Sequence, residues 1–242
     1  MAIDRRLWVD TFIDKQLPPL PCATCAKGTL RLVDLHTAEP GYSNTRDHED
    51  WEPSWIMERF VAFARCDVRE CGEVICLTGS TTTQEGHDEE GELHYYAQHQ
   101  IAAVVPGPRI IQIPSETPDT VGKEIAKAFE LFWLDPGGCA NRLRVSVERL
   151  LDHFKVKKLD IQKGKKQRTY SLNDRIGMFK KEEDLLHALR VIGNLGSHGT
   201  ATRRALLDAF DIYHDVLQAL LSTRRVSIAA LAKKVRKTKG RY

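Results

Sequence analysis

The sequence predicts an α+β protein in which a β-rich N-terminal part is followed by a bundle of helices. Three observations predict this order. Two pairs of cysteines in the first third of the chain each lead into a short strand-like segment. The segment 104–114 contains three prolines and is typical of an extended connector. Beyond this connector, apolar residues recur at helical spacing.

The composition bounds the class of protein. The chain has 242 residues, of which 42% are hydrophobic and 29% charged, and this suits one or two globular domains. No apolar run approaches the ~20 residues that cross a bilayer, and the first residues lack the apolar core of a secretory signal. We therefore expect a cytoplasmic protein with no membrane partner, in which thiols stay reduced and paired cysteines indicate a metal.

The cysteine pairs have the arrangement of two metal-binding turns. The first is Cys22-Ala-Thr-Cys25, and the second, Cys66 and Cys71, has four intervening residues and ends in Cys-Gly. Two thiolate-bearing turns can close a tetrahedral zinc site, and four thiolates leave no open position for a catalytic water. The sequence therefore predicts a structural Zn²⁺ held by these four cysteines. The alternative is four unrelated buried thiols, which is how Cys76 and Cys139 are interpreted.

The N-terminal part is predicted to hold three strands. They cover residues 29–33, 59–65 and 73–77, where apolar residues are β-branched or alternate with polar ones. The polar, acid-rich stretch 36–55 is predicted to be irregular, and the run 87–92 is predicted to be an exposed hairpin tip.

The second part is predicted to hold four or five amphipathic helices that make a compact bundle. Thr117 is the expected N-cap of the first helix, with Pro118 at the first helical position. The run 135–138 is expected to end this helix, and a second helix is expected over 140–154. The bundle is completed by a short helix from Ser171, a glycine-containing helix around 188–198 and a long helix from Thr200 or Thr202.

The glycine-containing helix carries the residues of most chemical interest. Four polar side chains share one face at ~100° per residue: His187, Arg190, Asn194 and His198. A cation, an amide and two imidazoles can hold a phosphate and move protons. The opposite face is expected to carry Leu185, Leu189, Ile192 and Gly196. Two glycines inside a helix cost roughly 1 kcal/mol each relative to alanine, which indicates close approach by a helix or ligand. The alternative is a polar dimer seam or a capped helix end.

The second helix has a polar face of its own. Asn141, Arg144 and Glu148 share this face, and the last two are four residues apart, so that they can pair on the helix surface. If this face meets the glycine-containing helix, the pair could instead orient a catalytic imidazole.

Positive charge is concentrated in two segments. Residues 224–242 contain eight basic residues and no acid, whereas the whole chain has a net charge of only +3, so the remainder is net negative. A basic tail favours polyanions, and the lysine-rich loop 155–168 suggests a second contact with phosphate. Solvated basic segments are the alternative in both places. The sequence thus divides into a β domain over 1–112, a helical bundle over 113–223 and a basic C-terminal tail over 224–242.

Two segments of the helical part resemble a known family. They are Ala140-Asn-Arg-Leu-Arg-Val-Ser-Val-Glu-Arg-Leu-Leu151 and Leu186-His-Ala-Leu-Arg-Val-Ile-Gly-Asn-Leu-Gly-Ser-His198, and they follow the cysteine pairs and an Ile-Pro connector. From roughly Leu17 to Leu221 the chain resembles the domain-of-unknown-function family DUF4145. The resemblance implies bacterial proteins, alone or fused to anti-phage or restriction components, with a zinc-ribbon-like β domain ahead of a HEPN-like α-helical bundle.

The HEPN resemblance implies candidate catalytic residues and a homodimer. Active HEPN proteins are metal-independent ribonucleases in which an asparagine precedes a histidine by one helical turn, as Asn194 precedes His198. Those enzymes place arginine directly before the asparagine, where this sequence has Gly193. Arg190 lies eight residues before His198, about 12 Å along a helix axis. The motif is therefore incomplete.

Three functions follow from these observations. As a ribonuclease, the protein would use His198 as general base or acid, Arg190 or Arg144 to stabilise developing charge, Asn194 to orient the phosphate and Glu148 to set the histidine tautomer. As a binding module in an anti-phage or restriction-type system, it would use the same residues to pack helices or to contact RNA or DNA without turnover. As an adaptor, it would bind a defence-system protein and no nucleic acid. Gly193 favours the binding module.

Overall fold

The computed structural model of this chain describes residues 3–43, 45–87, 90–160, 167–198 and 201–239. It confirms the α+β class, with an antiparallel sheet in the N-terminal part and helices after it. No helix within these ranges has the length and apolar content needed to cross a membrane. The predicted boundaries between the β domain, the bundle and the tail stay predictions.

The sheet has five antiparallel strands in the order β1-β5-β4-β3-β2. Their bounds are β1 Thr11–Ile13, β2 Leu30–Ala38, β3 Met57–Cys66, β4 Val74–His87 and β5 Leu93–Val105. Strands β2 to β5 form a meander, in which each strand pairs with the next along the chain, and the short β1 adds to β5 at the edge. The three predicted strands are thus present as β2, β3 and β4, each longer than expected, whereas β1 and β5 were not predicted.

Two connections in this sheet, residues 36–55 and 87–92, differ from or only partly match the predictions. The stretch 36–55 is only partly irregular, because β2 continues through His36 to Ala38 by pairing with β3. The run 87–92 does join β4 to β5, although residues 88 and 89 lie outside the described residues. Backbone pairing with β3 extends β2 into a polar stretch that periodicity alone does not mark as a strand.

One side of the sheet is covered and the other is open. On β3, buried residues (Phe60, Ala62 and Ala64) alternate with exposed ones, as expected when one face of an antiparallel sheet packs on the core. We call the side with the exposed residues the open face. It carries, from β3, Arg59, Val61, Phe63 and Arg65, together with their register partners on β2 and β4.

The connector after β5 packs closely on the first helix, α1 (Asp119–Leu134). A Cβ atom at Gly107 would collide with the backbone of Phe129 and Glu130, so only glycine fits this approach. The N-cap of α1 is Pro118 and not Thr117, whose side chain forms no capping bond; the Thr117 hydroxyl is buried without a hydrogen-bond partner among the described residues. The helix begins one residue later than predicted because the Pro118 carbonyl accepts the first helical bonds.

The second helix, α2 (Pro136–His153), begins earlier than predicted. Asp135 is its N-cap and accepts a hydrogen bond from the Gly138 N–H at 2.8 Å, with proline at the first helical position. The run 135–138 therefore lies at the end of α1 and also contains the start of α2. Proline cannot continue α1, but it is favourable at the first position of the next helix.

Four further helices follow: α3 Leu172–Phe179, α4 Glu183–His198, α5 Arg203–Leu221 and α6 Arg224–Thr238. Ser171 caps α3 in a reciprocal box with Asp174, and Thr202 caps α5. On α5 the apolar residues Leu206, Phe210, Tyr213 and Leu217 are buried at helical spacing, and Leu220 is half-buried. Between α2 and α3, the described part of the loop 155–168 contains a two-stranded hairpin of β6 (Leu159–Asp160) and β7 (Arg168–Thr169).

The core runs without interruption from the sheet into the helices. Trp8, ahead of β1, packs on Phe132 and Trp133 of α1 with ring centroids 5.8 and 5.7 Å away. The Trp133 indole N–H donates to the Val9 carbonyl at 3.2 Å, and Arg5 bonds two aspartates of α5. The N-terminal segment therefore fastens the helices to the sheet.

Candidate functional site

The four predicted metal ligands meet at one end of the sheet. Cys22 and Cys25 lie in the turn before β2, and Cys66 and Cys71 lie at the end of β3 and in the turn that follows. Their sulfur atoms all lie within 4.8 Å of one another. The antiparallel pairing of β2 with β3, in which Leu30 opposes Cys66, brings the two turns together. The structure is therefore compatible with a metal site of four cysteines.

The sulfur separations fit a tetrahedral ion. The Cys22 and Cys71 sulfurs are 3.7 Å apart, as are those of Cys25 and Cys66. With Zn–S bonds of about 2.3 Å, the edge of a tetrahedron of sulfurs is about 3.8 Å. A disulfide requires about 2.05 Å, and all four cysteines are free thiols. The donor set and its spacing thus fit a structural zinc ion.

Backbone donors lie close to the sulfurs of the first turn, and they favour the thiolate form of Cys25. The Gly28 N–H donates to the Cys25 sulfur and the Thr24 N–H to the Cys22 sulfur, each at 3.4 Å. Backbone donation from Gly28 and Lys27 lowers the pKa of Cys25 to about 6, whereas burial raises the pKa of Cys66 to about 12. Four close sulfurs of this kind become thiolates together only when a cation neutralises them.

Contacts that the sequence did not reveal hold the two turns in place. A Cβ atom at Gly28 would collide with the Cys66 sulfur, so this position admits only glycine. Arg109 in the connector donates to the carbonyls of Ala23 and Thr24 at 2.7 and 2.8 Å. Thr24 also donates its hydroxyl hydrogen to Glu73, which follows the second turn. Lys27-Gly28 after a cysteine pair was the available signal for the glycine, but nothing local indicated Arg109.

The other two cysteines differ from each other. Cys139 is buried in α2, as expected, and burial raises the pKa of its thiol. Cys76 is exposed on the open face, so the expectation of a buried thiol is wrong there. The reason is the alternation of β4, where Ile75 and Leu77 take the buried side.

A second candidate site lies where α4 crosses α2. The two helices approach closely there because α4 has glycine at the contact positions. A Cβ atom at Gly193 would lie 2.6 Å from the Cβ atom of Arg144, and one at Gly196 would collide with the backbone carbonyl of Gly137. The expected close helix approach is therefore present. The buried residues of α4 are Leu186, Leu189 and Gly193. The prediction of Leu185, Leu189, Ile192 and Gly196 is therefore wrong except at Leu189, because the buried face is rotated about the helix axis.

This crossing brings three of the predicted polar residues together. Arg144 donates from Nη1 to Oδ1 of Asn194 at 2.8 Å, and its Nε atom lies 3.7 Å from a carboxylate oxygen of Glu148. Arg144 and Asn194 are half-buried. A guanidinium group held between an amide and a carboxylate can position a phosphate or a neighbouring side chain.

Two of the five predicted catalytic residues, Arg190 and His198, are not part of the group formed by Arg144, Asn194 and Glu148 in the described structure. His198 is the last residue of α4, and its side chain lies outside the described residues. Arg190 has a buried Nε atom with no hydrogen-bond partner among the described residues, and the Nδ1 atom of His187 is in the same situation. Within the described ranges, neither Arg190 nor His187 bonds to the group of Arg144, Asn194 and Glu148. The predicted catalytic roles therefore stay predictions.

The two basic segments have more structure than expected. Most of the tail forms the helix α6. At the start of this helix, the N–H and the hydroxyl of Thr223 donate hydrogen bonds to the Glu116 carboxylate. These bonds, led by the hydroxyl donor, lower the pKa of Glu116 to about 2. In the basic loop, Lys158 pairs with Asp152 at 2.7 Å, while Lys163, Lys165 and Lys166 lie outside the described residues.

Models of two protein families match separate parts of this chain, and each match contains one of the two candidate sites. The domain of unknown function DUF4145 matches residues 126–240. This match confirms the DUF4145 resemblance. The DUF4145 segment includes Arg144, Asn194 and both glycines of the crossing, and it continues through α6. A second domain of unknown function, DUF8608, matches residues 10–103, which contain the four clustered cysteines.

The two matches correct the extent of the resemblance. The expected DUF4145 span, roughly Leu17 to Leu221, is too wide at its N-terminal end, because the cysteine-bearing part matches DUF8608 instead. Cysteine turns recur among unrelated small metal sites and do not by themselves mark one family. Neither the curated proteins nor the solved structures yielded a match to the chain.

Proposed function

We propose that this protein is a nucleic-acid-binding module whose β domain is stabilised by one zinc ion. The observation that carries the proposal is the C-terminal helix α6. Residues 224–242 contain eight basic residues and no acid, and α6 presents Lys233, Arg236 and Lys237 as exposed side chains. A helix with this density of positive charge neutralises phosphates and releases their counterions, which is the main source of affinity for nucleic acid.

The position of α6 supports this use. Its N-terminus is next to the Glu116 carboxylate, and its last turn contains Arg236 and Lys237. The two cations of the last turn complement the helix dipole, and the Glu116 carboxylate offsets part of the positive charge of the first turn, which contains Arg224 and Arg225. Exposure of the apolar residues Ile228 and Leu231, each at 54%, indicates that the body of the protein leaves this helix uncovered. Such a helix is accessible to a polyanion.

The zinc ion has a structural role in this proposal. Cys22, Cys25, Cys66 and Cys71 would hold it, and a fully thiolate-ligated ion has no open position for water or substrate. Because Arg109 connects the first cysteine turn to the segment before α1, the ion would also fix the connector against the sheet. The expected consequence of removing the ion is partial unfolding of the β domain.

A charge-reversal experiment tests the binding proposal. Lys233→Glu/Lys237→Glu reverses two exposed charges of α6, and Lys123→Glu/Arg204→Glu makes the same change at exposed positions of α1 and α5. The observable is the fluorescence anisotropy of a labelled duplex and a labelled single strand. We expect the α6 variant to bind more weakly, with a salt slope that is smaller by about 0.7–0.9 for each phosphate it no longer neutralises. Equal affinity of the α6 variant and wild type would refute the role of α6.

A metal-independent ribonuclease is the second candidate, because of one contact. The hydrogen bond between Arg144 and Asn194 holds a guanidinium group one helical turn before His198, where the HEPN resemblance calls for an arginine. If this candidate is correct, wild-type protein cleaves RNA in the presence of a chelator and His198→Ala does not. Absence of cleavage by wild type, across structured and unstructured RNAs, would eliminate it.

The remaining predictions concern partners and setting. A homodimer, a defence-system protein partner, an anti-phage or restriction-type context and a cytoplasmic location are drawn from the sequence and from the DUF4145 resemblance, and they stay predictions. An adaptor that binds only protein would leave α6 without nucleic-acid affinity, so the anisotropy experiment separates it from the proposed binding module.

A further inference from the structure

The open face of the sheet carries a group of exposed apolar side chains. Val61 and Phe63 on β3 are 42% and 38% exposed, Val74 on β4 is 38% exposed, and Val105 on β5 is 53% exposed. The register makes these residues neighbours, because Phe63 opposes Cys76, which in turn opposes Val105. Apolar residues of an antiparallel sheet usually face the core, so a cluster on the open face indicates a contact surface.

Arginines lie beside this apolar cluster, on β2 and β3. Arg31 on β2 and Arg65 on β3 are directly opposite each other, and both are exposed. Like charges at directly opposite positions destabilise a sheet. Arg31 has one distant ion-pair partner, Asp67 at 3.9 Å, and Arg65 has none among the described residues. An external anion that binds between the two guanidinium groups would relieve their repulsion.

A third arginine lies further along the same strand face. Arg59 donates to the Tyr42 hydroxyl at 2.8 Å, and Tyr42 is 65% exposed. Arg59 and Arg65 are six positions apart on an extended strand, a span of about 20 Å. The one carboxylate among the partners of β3 on this face is Asp34, which already bonds to His36 at 2.8 Å. Along β3 and its register partners on β2 and β4, this face therefore carries three arginines and one carboxylate, which leaves it net positive.

We propose that the open face binds single-stranded nucleic acid, with Phe63 stacking on a base and with Arg31 and Arg65 contacting phosphate. Exposed aromatic side chains on a sheet stack readily on unpaired bases, and arginines beside them hold the backbone. A duplex hides the faces of its bases, so it is a poorer ligand for Phe63. This inference goes beyond the proposed function, which depends on α6, because it assigns a different surface and a strand preference.

A second copy of the chain fits this face less well. An isologous dimer sets the same patch against itself, so it would bring two copies of each of the three arginines into one interface. Interface cores are depleted of charge, and like charges there cost affinity. Charge complementarity therefore favours a polyanion over the same protein.

The test uses the full zinc-loaded chain and fluorescein-labelled oligouridylate and oligothymidylate, with a matched duplex. Phe63→Ala is expected to weaken single-strand binding by about 5- to 150-fold with an unchanged salt slope, because a stacking contact involves no counterion. Phe63→Tyr keeps the ring and should bind as wild type. Arg65→Gln is expected to reduce the salt slope by about 0.7. Leu134→Ala and Arg204→Gln are the controls at exposed positions elsewhere.

Each outcome decides for or against this surface. Wild-type affinity and slope in both Phe63→Ala and Arg65→Gln, with metal content and near-UV circular dichroism unchanged, overturn the proposal. If Lys233→Glu/Lys237→Glu alone abolishes binding, the proposed function stands and the open face fails. If Phe63→Ala converts a dimer into a monomer in sedimentation experiments, the face is a protein interface and the proposal is wrong. Loss of single-strand affinity in the two sheet variants, with the α6 variant still binding, supports it.

Discussion

Arg144 on α2 donates a hydrogen bond from Nη1 to Oδ1 of Asn194 on α4 at 2.8 Å. The bond crosses the helix pair next to Gly193, whose lack of a side chain lets the two backbones approach. Two residues that the sequence marks as polar positions on separate helices are thus direct partners. The hydrogen bond between Arg144 and Asn194 therefore depends on the close packing of α2 and α4 at Gly193.

Asn194→Ala is expected to lower the free energy of unfolding by about 1.5–3 kcal/mol, because a half-buried charged donor loses its acceptor. Asn173→Ala, at an exposed position of α3, changes the same side chain without this contact and should have little effect. Urea unfolding followed by circular dichroism measures both. Equal stability of the two variants would show that the Arg144 bond contributes nothing.

Gly196→Ala is expected to destabilise the protein by about 1–3 kcal/mol, since a methyl group would meet backbone that cannot move aside. Gly122→Ala is the matched control, because a Cβ atom there has nothing within 4 Å, and it should stabilise α1 by about 0.5–1 kcal/mol. Thermal unfolding of both variants gives the comparison. A neutral Gly196→Ala would mean that α2 and α4 do not pack as described.

Cys25→Ser is expected to abolish stoichiometric zinc binding and to lower stability by more than about 4 kcal/mol, the range typical of removing a structural metal. Cys76→Ser is the matched control, because this thiol is exposed and outside the cluster. Metal analysis after dialysis, followed by thermal unfolding with and without chelator, tests the pair. Full zinc content in Cys25→Ser contradicts the four-cysteine site.

His99 gives a pH-dependent prediction. Burial lowers the pKa of this imidazole below its ordinary value of 6.5, and its Nδ1 atom lies 2.8 Å from the Thr81 hydroxyl. Below about pH 6.5 the unfolded chain binds a proton that the folded protein does not, so this contribution to stability falls as the pH falls.

The predicted fall in stability is smaller in His99→Gln than in wild type, because glutamine has no proton to gain. His153→Gln makes the same substitution at an exposed position and is the control for the change of residue type. Urea unfolding at about pH 7.5 and about pH 5.5, on either side of the unfolded pKa, measures the difference. An identical fall in His99→Gln and wild type would show that His99 is not the group responsible.

The sequence predicts the cysteine cluster and the α+β class correctly because both depend on short-range patterns. Each cysteine pair is local, and both pairs precede strands whose pairing brings them together. The buried face of α4 is harder to predict, since adjacent residues differ by about 100° on a helix. Contact with α2 through glycine, and not the leucines alone, decides that Leu186 is buried and Leu185 is only half-buried.

The C-terminal segment shows a different limit. Its charge predicts an affinity for polyanions, but charge carries no information on helicity. The run Ala229-Ala-Leu-Ala232 consists of strong helix formers and was the available signal for α6. The anchoring contact between Glu116 and Thr223 joins residues that are 107 positions apart, so no local pattern could reveal it.

The salt dependence of nucleic-acid binding by the zinc-loaded wild-type protein tests the proposed function most directly. We expect binding whose logarithmic affinity falls linearly with the logarithm of salt concentration, with a slope that reports several phosphate contacts. If neither a single strand nor a duplex binds at about 50 mM salt, where electrostatic affinity is strong, this chain is not a nucleic-acid-binding module.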